Sequence, residues 1–209
     1  MAAPMDLEAE IERLQGEVAR LARQAQAAED YIAISNLQRS YGYYVDRARW
    51  DDAADLFARE CTLEINGRGV FVGQERVRQY MHRFGPPQYG QLFNHMQLQP
   101  VIQVAEDGRT AKARLRALIQ VGVLGKECLW GEGTYENEYV REDGVWKISK
   151  LHFYQVFYAD HEKGWHREPR PLVPQYPDFP PDRPPSEDYK VYPEFYVPPY
   201  HYRNPVSGR

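Results

Sequence analysis

From Leu92 onward apolar residues recur at every second position through four long runs, and short polar turns join them in pairs. Phe93 to Val104 and Thr110 to Val123 flank Glu106-Asp107-Gly108-Arg109, and Glu127 to Val140 and Val145 to Tyr158 flank Glu142-Asp143-Gly144. A period of two is what a strand with one buried face requires, and Asp-Gly between two such runs marks a hairpin. Two long hairpins in succession leave the chain little freedom. It must set the strands side by side and cover one of their faces.

The cover has to come from upstream, where the period is helical. Leu7, Ile11, Leu14, Val18 and Leu21 alternate spacings of four and three within residues 6 to 28, the narrow seam of a coiled coil. So short a helix is marginal alone and needs something to lie on, its own domain or a second copy. A second helix is expected from about Asp30 to Arg47, with Ile34, Leu37, Tyr41 and Tyr44 or Val45 on one face. A third follows, with Asp51 or Asp52 as N-cap and Ala54, Leu56 and Phe57 along it. Cys61 to Ile65 and Gly69 to Val72 read as short strands about the turn Asn66-Gly67, and Gln74 to Phe84 reads as a helix stopped by Gly85-Pro86-Pro87. The expected class is α+β: a strongly bent, mostly antiparallel sheet with helices on one face.

Three segments result: a heptad-like helix over 1–28, a folded domain over 29–160 and an extended arm over 161–209. The arm holds 12 of the 16 prolines and 6 of the 16 tyrosines. Proline at that density excludes helix and interior strand, whereas the aromatic residues demand a surface to dock on. The arm and the seam together point to a homo-oligomer, a dimer or trimer, with the arm packed across a neighbouring subunit; the alternative is an arm folded back on its own domain.

Charge narrows the partners. With 26 Lys and Arg against 30 Asp and Glu the net charge is −4, which argues against nucleic acid and anionic membrane. The apolar runs are too short to span a bilayer, and Met1 to Glu10 lacks a basic region followed by an apolar stretch, so a cytoplasmic location is expected. Cys61 and Cys128 make neither a disulfide framework nor a zinc site, and His161 and His166 stand five apart rather than four. Gly131-Glu132-Gly133 is too short for a phosphate loop. Neither metal nor cofactor is expected, and a small molecule is the expected ligand.

The stretch from Tyr43-Tyr44-Val45-Asp46-Arg47-Ala48-Arg49-Trp50 to Leu56-Phe57 resembles the first helices of the nuclear transport factor 2-like superfamily, in its SnoaL-like branch. Gly69-Val70-Phe71-Val72-Gly73-Gln74-Glu75 is similar to that branch's entry to the third helix, and Asp143-Gly144-Val145-Trp146-Lys147-Ile148 to its final hairpin. The resemblance covers roughly residues 30 to 158. It implies a cone, a curved sheet wrapped around helices, with one deep apolar pocket at its open end.

By resemblance to the scytalone dehydratases, Asp46 and His95 both point into that pocket as a general acid–base pair. A helix cap and a core histidine are the plainer roles for the same two residues. Tyr43, three positions before Asp46, shares its helical face and joins the catalytic group, whereas Tyr41 and Tyr44 point elsewhere, Tyr44 being kept as a candidate for substrate binding. Tyr135 and Asn137 alternate on one strand face with Gly131, Gly133 and Tyr139, where the family keeps its hydroxyl and amide groups. The scytalone dehydratases have serine in place of Gly133 and asparagine in place of Tyr135, a departure that tells against the same substrate. Lys112, Arg114 and Arg116 also alternate; the row is either a solvated sheet face or, through Arg114 and Arg116, an oxyanion site. His152 and Tyr154 alternate likewise on the last strand, and His152 is a further candidate for substrate binding. The ketosteroid isomerases of the superfamily have an acidic base where this chain has Ile65.

The resemblance and the tyrosine surplus together imply a cofactor-independent lyase on a mostly apolar phenolic substrate. It would eliminate water, or cleave a carbon–carbon bond and release formaldehyde through a quinone methide, as the lignin-dimer diarylpropane lyases do. An isomerase or cyclase with the same pair, or a binding and assembly protein without chemistry, are the alternatives.

Overall fold

The computed structural model describes residues 7–209. The expected helix start at residue 6, and most of the leader reading over Met1 to Glu10, lie outside the described residues.

The two helices expected before residue 47 are one. Helix α1 runs unbroken through Leu7–Asp46, because Ala22 to Ala28 is rich in strong helix formers and contains neither glycine nor proline. At 1.5 Å per residue it spans roughly 60 Å, and its two halves live in different environments. The seam residues stay open to solvent, from 46% exposure at Leu14 to 65% at Val18, so this half does not lie on its own domain. Burial begins at Asp30, which accepts hydrogen bonds from Trp146 Nε1 and Gln26 Nε2, both at 3.0 Å, and pairs with Arg141. Beyond it Ile34, Gln38 and Tyr41 face the sheet.

Helix α2, Trp50–Asp55, starts one residue before the expected caps. Arg49 occupies the N-cap position without a side-chain cap bond, while Asp51 and Asp52 pair with Arg78 and Arg49. The helix also ends sooner than expected, since Phe57 already opens strand β1, Phe57–Ile65. A single 3₁₀ turn over Asn66–Arg68 leads to β2, Val70–Val72, and then to α3, Gln74–His82. The long strands are β3, Gln91–Val104; β4, Thr110–Val123; β5, Glu127–Glu142; and β6, Val145–Asp160.

They form one six-stranded sheet in the order β2-β1-β6-β5-β4-β3. Every neighbour pair is antiparallel except β1 and β6, which run parallel with Leu63 beside Leu151. Ala113, Leu115, Ala117 and Ile119 of β4, with Tyr135 and Tyr139 of β5, present the inner face to the helices. Gly42 sits where α1 crosses β3: a Cβ there would lie 2.9 Å from the carbonyl oxygen of His95, so only glycine lets helix and strand approach this closely. No helix among the described residues is long and apolar enough to cross a membrane.

Within the chain the arm packs on its own cone, the alternative to the expected placement across a neighbouring subunit. Phe179 stacks on Phe71 at 5.3 Å, Tyr196 stacks on Tyr154 at 6.1 Å, and Tyr200 covers the Arg114 guanidinium at 3.6 Å. Glu64, buried on the outer face, accepts from the Ser186 amide and hydroxyl at 2.7 and 2.8 Å and from the Tyr189 hydroxyl at 2.5 Å. Both faces of the last strands are therefore covered, the inner by helices and the outer by the arm. Phe195, 92% exposed, is an arm aromatic that docks on nothing.

Candidate active site

The inner face of the sheet and the three helices enclose a cavity of about 400 Å³, and arm residues Arg170 to Pro174 form part of its wall. Phe84, Phe93, Ile119, Val121 and Leu129 make most of the lining apolar. Such a cavity suits a ligand of one or two small rings. The polar groups in it are few: His95, Arg68 and the phenols of Tyr41, Tyr80, Tyr135 and Tyr158, with Arg170 paired to Glu127 at 3.1 Å.

The helical phase of α1 decides which of its residues reach the cavity. Ile34, Gln38, Tyr41 and Val45 follow the four-three-four spacing of one face, and Tyr41 and Val45 line the cavity. Tyr43 is out of phase and 74% exposed, so it is not part of the site. Tyr44 packs at the side, beneath the Arg49 guanidinium at 5.4 Å, and does not line the cavity either. Tyr41 is the inward hydroxyl. The signal was the spacing from Ile34, which outweighs the three-residue spacing to Asp46.

Asp46 ends α1 and touches β3 at His95. Its Oδ1 accepts the His95 backbone amide at 2.7 Å, and His95 Nδ1 lies 3.4 Å from the same oxygen without a hydrogen-bond partner of its own. Both side chains are largely buried, at 18% and 14% exposure. The carboxylate thus fixes the strand first and stands beside the ring second, and the ring's other edge, with Nε2, is left for the cavity. Burial holds the phenols of Tyr41, Tyr135 and Tyr158 well above the usual tyrosine range, so they stay neutral and able to donate. Tyr135 interacts through its hydroxyl with Gln97, which in turn accepts from Gln38 at 2.9 Å.

Four other expected substrate contacts lie elsewhere. Arg114 and Arg116 are on the outer face of β4, because the inner positions are Ala113, Leu115 and Ala117. Arg114 is clamped by Glu136 and the Pro198 carbonyl, and Arg116 is exposed and paired with Glu132 at 2.7 Å. His152 faces outward too, stacked on Tyr154 at 4.1 Å with Nε2 2.5 Å from the Tyr189 hydroxyl. Asn137 does face inward, yet beyond the cavity: it donates to Gln38 Oε1 at 3.0 Å and accepts the His152 amide at 3.0 Å, tying α1 to β5 and β6. Gly133 has its side-chain space filled by the Phe153 ring, 2.2 Å from where a Cβ would stand. Ile65 lines the cavity as an apolar residue. Both cysteines are free, and burial pushes the Cys61 thiol up to about 12.

Sequence reasoning missed Arg68, Tyr80, Tyr158 and the arm segment from Arg170 to Pro174. Arg68 sits in a single turn between short strands, where no periodicity tells inside from outside. The arm residues reach the cavity only through tertiary folding, which local pattern does not encode.

Solved structures with this architecture include a protein of Novosphingobium aromaticivorans assigned provisionally as a scytalone dehydratase, at 18% identity and a TM-score of 0.60, covering 72% of this chain and 96% of that one. ActVI-ORFA of Streptomyces coelicolor is similar at 13% identity and a TM-score of 0.52, covering 60% of this chain and 96% of its own. A nuclear transport factor 2-like protein with a cystatin-like fold, again from Novosphingobium aromaticivorans, has 17% identity and a TM-score of 0.55, covering 66% of this chain and 89% of that one. At these identities the likeness is one of fold. No curated protein matches the chain. The SnoaL-like domain model matches residues 26–152, more than half the chain and the part that builds the buried half of α1, most of the sheet and most of the cavity wall; this protein belongs to the SnoaL-like family, whose members include cofactor-independent dehydratases, isomerases and cyclases.

Proposed function

We propose that this protein is a cofactor-independent lyase acting on a mostly apolar phenolic substrate, with His95 moving the proton and Asp46 positioning it. The observation that carries this reading is the unpartnered Nδ1 of His95, 3.4 Å from Asp46 Oδ1, on a ring that lines an apolar cavity. A small turn of the imidazole brings Nδ1–H into a charge-assisted bond with the carboxylate, which stabilises the protonated ring. Nε2 then takes a proton from substrate carbon or oxygen and returns it to the leaving hydroxyl, which departs as water. The buried neutral phenols of Tyr41 and Tyr135 donate to the oxygen that gains charge.

On a diaryl propanediol the same groups support two stages. Loss of water from the benzylic carbon gives a quinone methide. His95 next removes the proton of the terminal hydroxyl, the C–C bond to that carbon breaks, and formaldehyde leaves. The electron pair of that bond forms the new alkene and restores the phenolate. The balance is one water and one formaldehyde per diarylethene.

The test is to incubate the purified protein with a 1,2-diarylpropane-1,3-diol carrying a free phenol, and to follow formaldehyde and product mass. Product lighter by water, or by water and formaldehyde, and absent with His95→Ala, supports the reading. Product of unchanged mass makes the protein an isomerase or cyclase, and ligand that binds without product makes it a binder. We further propose a cytoplasmic homo-oligomer, with the exposed α1 seam joining the copies.

A further inference from the structure

Among the described residues six arginines are partly buried, and five of them face a carboxylate. Arg76 meets Asp182, Arg78 meets Asp51 and Asp55, Arg83 meets Asp178, Arg114 meets Glu136, and Arg141 meets Asp30. The sixth, Arg68, meets none among the described residues. Its Nη1 donates to the Tyr80 hydroxyl at 2.5 Å, its guanidinium lies 4.7 Å from the Tyr176 ring centroid, and its Nε is buried without a partner. The groups that act on it most strongly are the phenols Tyr80, Tyr176 and Tyr158.

A guanidinium in an apolar wall without a counter-ion is costly to keep, and two phenol rings with one hydroxyl offset only part of that cost. It lines the cavity together with Tyr80 and Tyr158. The arm holds it in place: a Cβ at Gly67 would lie 2.8 Å from Leu172 and 2.9 Å from the Val173 carbonyl, so the turn that carries Arg68 is pressed against the segment closing the cavity. Between Arg68 and His95 stands a row of aromatic rings, Tyr80 to Phe84 at 5.8 Å, Phe84 to Phe93 at 5.9 Å, and Phe93 to His95 at 6.2 Å. The cation and the imidazole therefore address different ends of a bound ligand.

We propose that Arg68 is the recognition point for an anionic oxygen, a carboxylate or a phenolate, on an aromatic substrate whose reacting carbon lies at His95. The ligand's anionic oxygen supplies the counter-charge that Arg68 lacks, and Tyr80, whose oxygen already accepts from Arg68, can donate its own proton to the same anion. Aromatic compounds with an ionised oxygen enter the cavity, and their esters and ethers are discriminated against. This rests on the cavity being the ligand site, and it does not depend on which reaction follows.

The experiment measures binding by quenching of intrinsic fluorescence, with 2-naphthoate against its methyl ester and 4-nitrophenolate against 4-nitroanisole. Wild type should prefer one or both anions, and the pair that shows the preference tells carboxylate from phenolate. Arg68→Gln, which keeps a hydrogen-bond donor and loses the charge, should weaken that anion by about 10- to 100-fold and leave its neutral partner unchanged. Arg68→Lys should retain part of the preference, which guards against a misfolded Gln variant. His95→Ala should keep the full preference while losing turnover, so the two readings fail separately. Equal binding of anion and neutral analogue, no anion binding at all, or a preference that survives Arg68→Gln overturns the proposal.

Discussion

The backbone amide of His95 and the carboxylate of Asp46 are joined at 2.7 Å, so the end of α1 is fastened to β3 at the residue whose ring enters the cavity. A carboxylate placed in this way has two separable duties, one to the backbone and one to the imidazole. Asp46→Asn separates them, because an amide oxygen still accepts the His95 N–H but carries no charge. Turnover should fall by about 10² to 10⁴ while the thermal midpoint stays near wild type. Near-wild-type turnover in a folded Asp46→Asn protein would show that the pair does not work as proposed.

Tyr41 and Tyr43 differ by two positions and by their surroundings, one in the cavity wall and one 74% exposed. Removing the Tyr41 hydroxyl with Tyr41→Phe should lower turnover by about 10-fold or more. Tyr43→Phe should change neither turnover nor stability. Steady-state rates of the two variants decide between the faces of α1.

His152 lies under the arm, and burial pulls it down to about 4 despite the opposing pull of Glu64, Glu187 and Glu136; Lys150 acts in the same direction as burial. Its folded value is below its unfolded value of about 6.5. Between those two values the unfolded chain binds a proton that the folded chain does not, so stability is lost as pH falls from about 6.5 to about 4. The Tm of wild type should drop across that window more steeply than the Tm of His152→Gln. Parallel curves would show that His152 is not the group responsible.

The arm contributes to the cavity wall and buries Glu64 and His152. Deleting residues 165 to 209 should therefore lower Tm and weaken binding of aromatic ligands, and leave the mass by light scattering per assembly unchanged in subunit number. The seam should behave in the opposite way. Leu14→Glu with Val18→Glu should reduce the subunit number and leave ligand binding intact, since both residues are exposed and far along α1 from the cavity. A changed subunit number on arm deletion, or an unchanged one in the seam variant, reverses the assignment.

Much of the frame was readable in the residues. The bounds of β4 were legible from Thr110 to Val123 because period two and flanking turns leave few alternatives, and the inward set Gly131, Gly133, Tyr135, Asn137 and Tyr139 follows from the same alternation. The join of two helices at residues 28 to 30 was hidden, since polarity changes there and helix propensity does not. Tyr41 was legible from the Ile34 face, but a local spacing to Asp46 favoured Tyr43. The outward rows of Arg114, Arg116 and His152 show the limit of alternation: it groups residues by face and does not name the face that holds the cavity. Arg68 had no local signal, because its burial depends on an arm more than a hundred residues later in the chain.

The proposed function depends on proton transfer by the His95 imidazole. The single-turnover rate of His95→Gln at saturating phenolic diol, beside the Kd of the same diol, tests it most directly. The expected result is a rate lower by about 10² or more with Kd changed only a few-fold. A rate close to wild type, or a Kd loss that accounts for the whole defect, contradicts it.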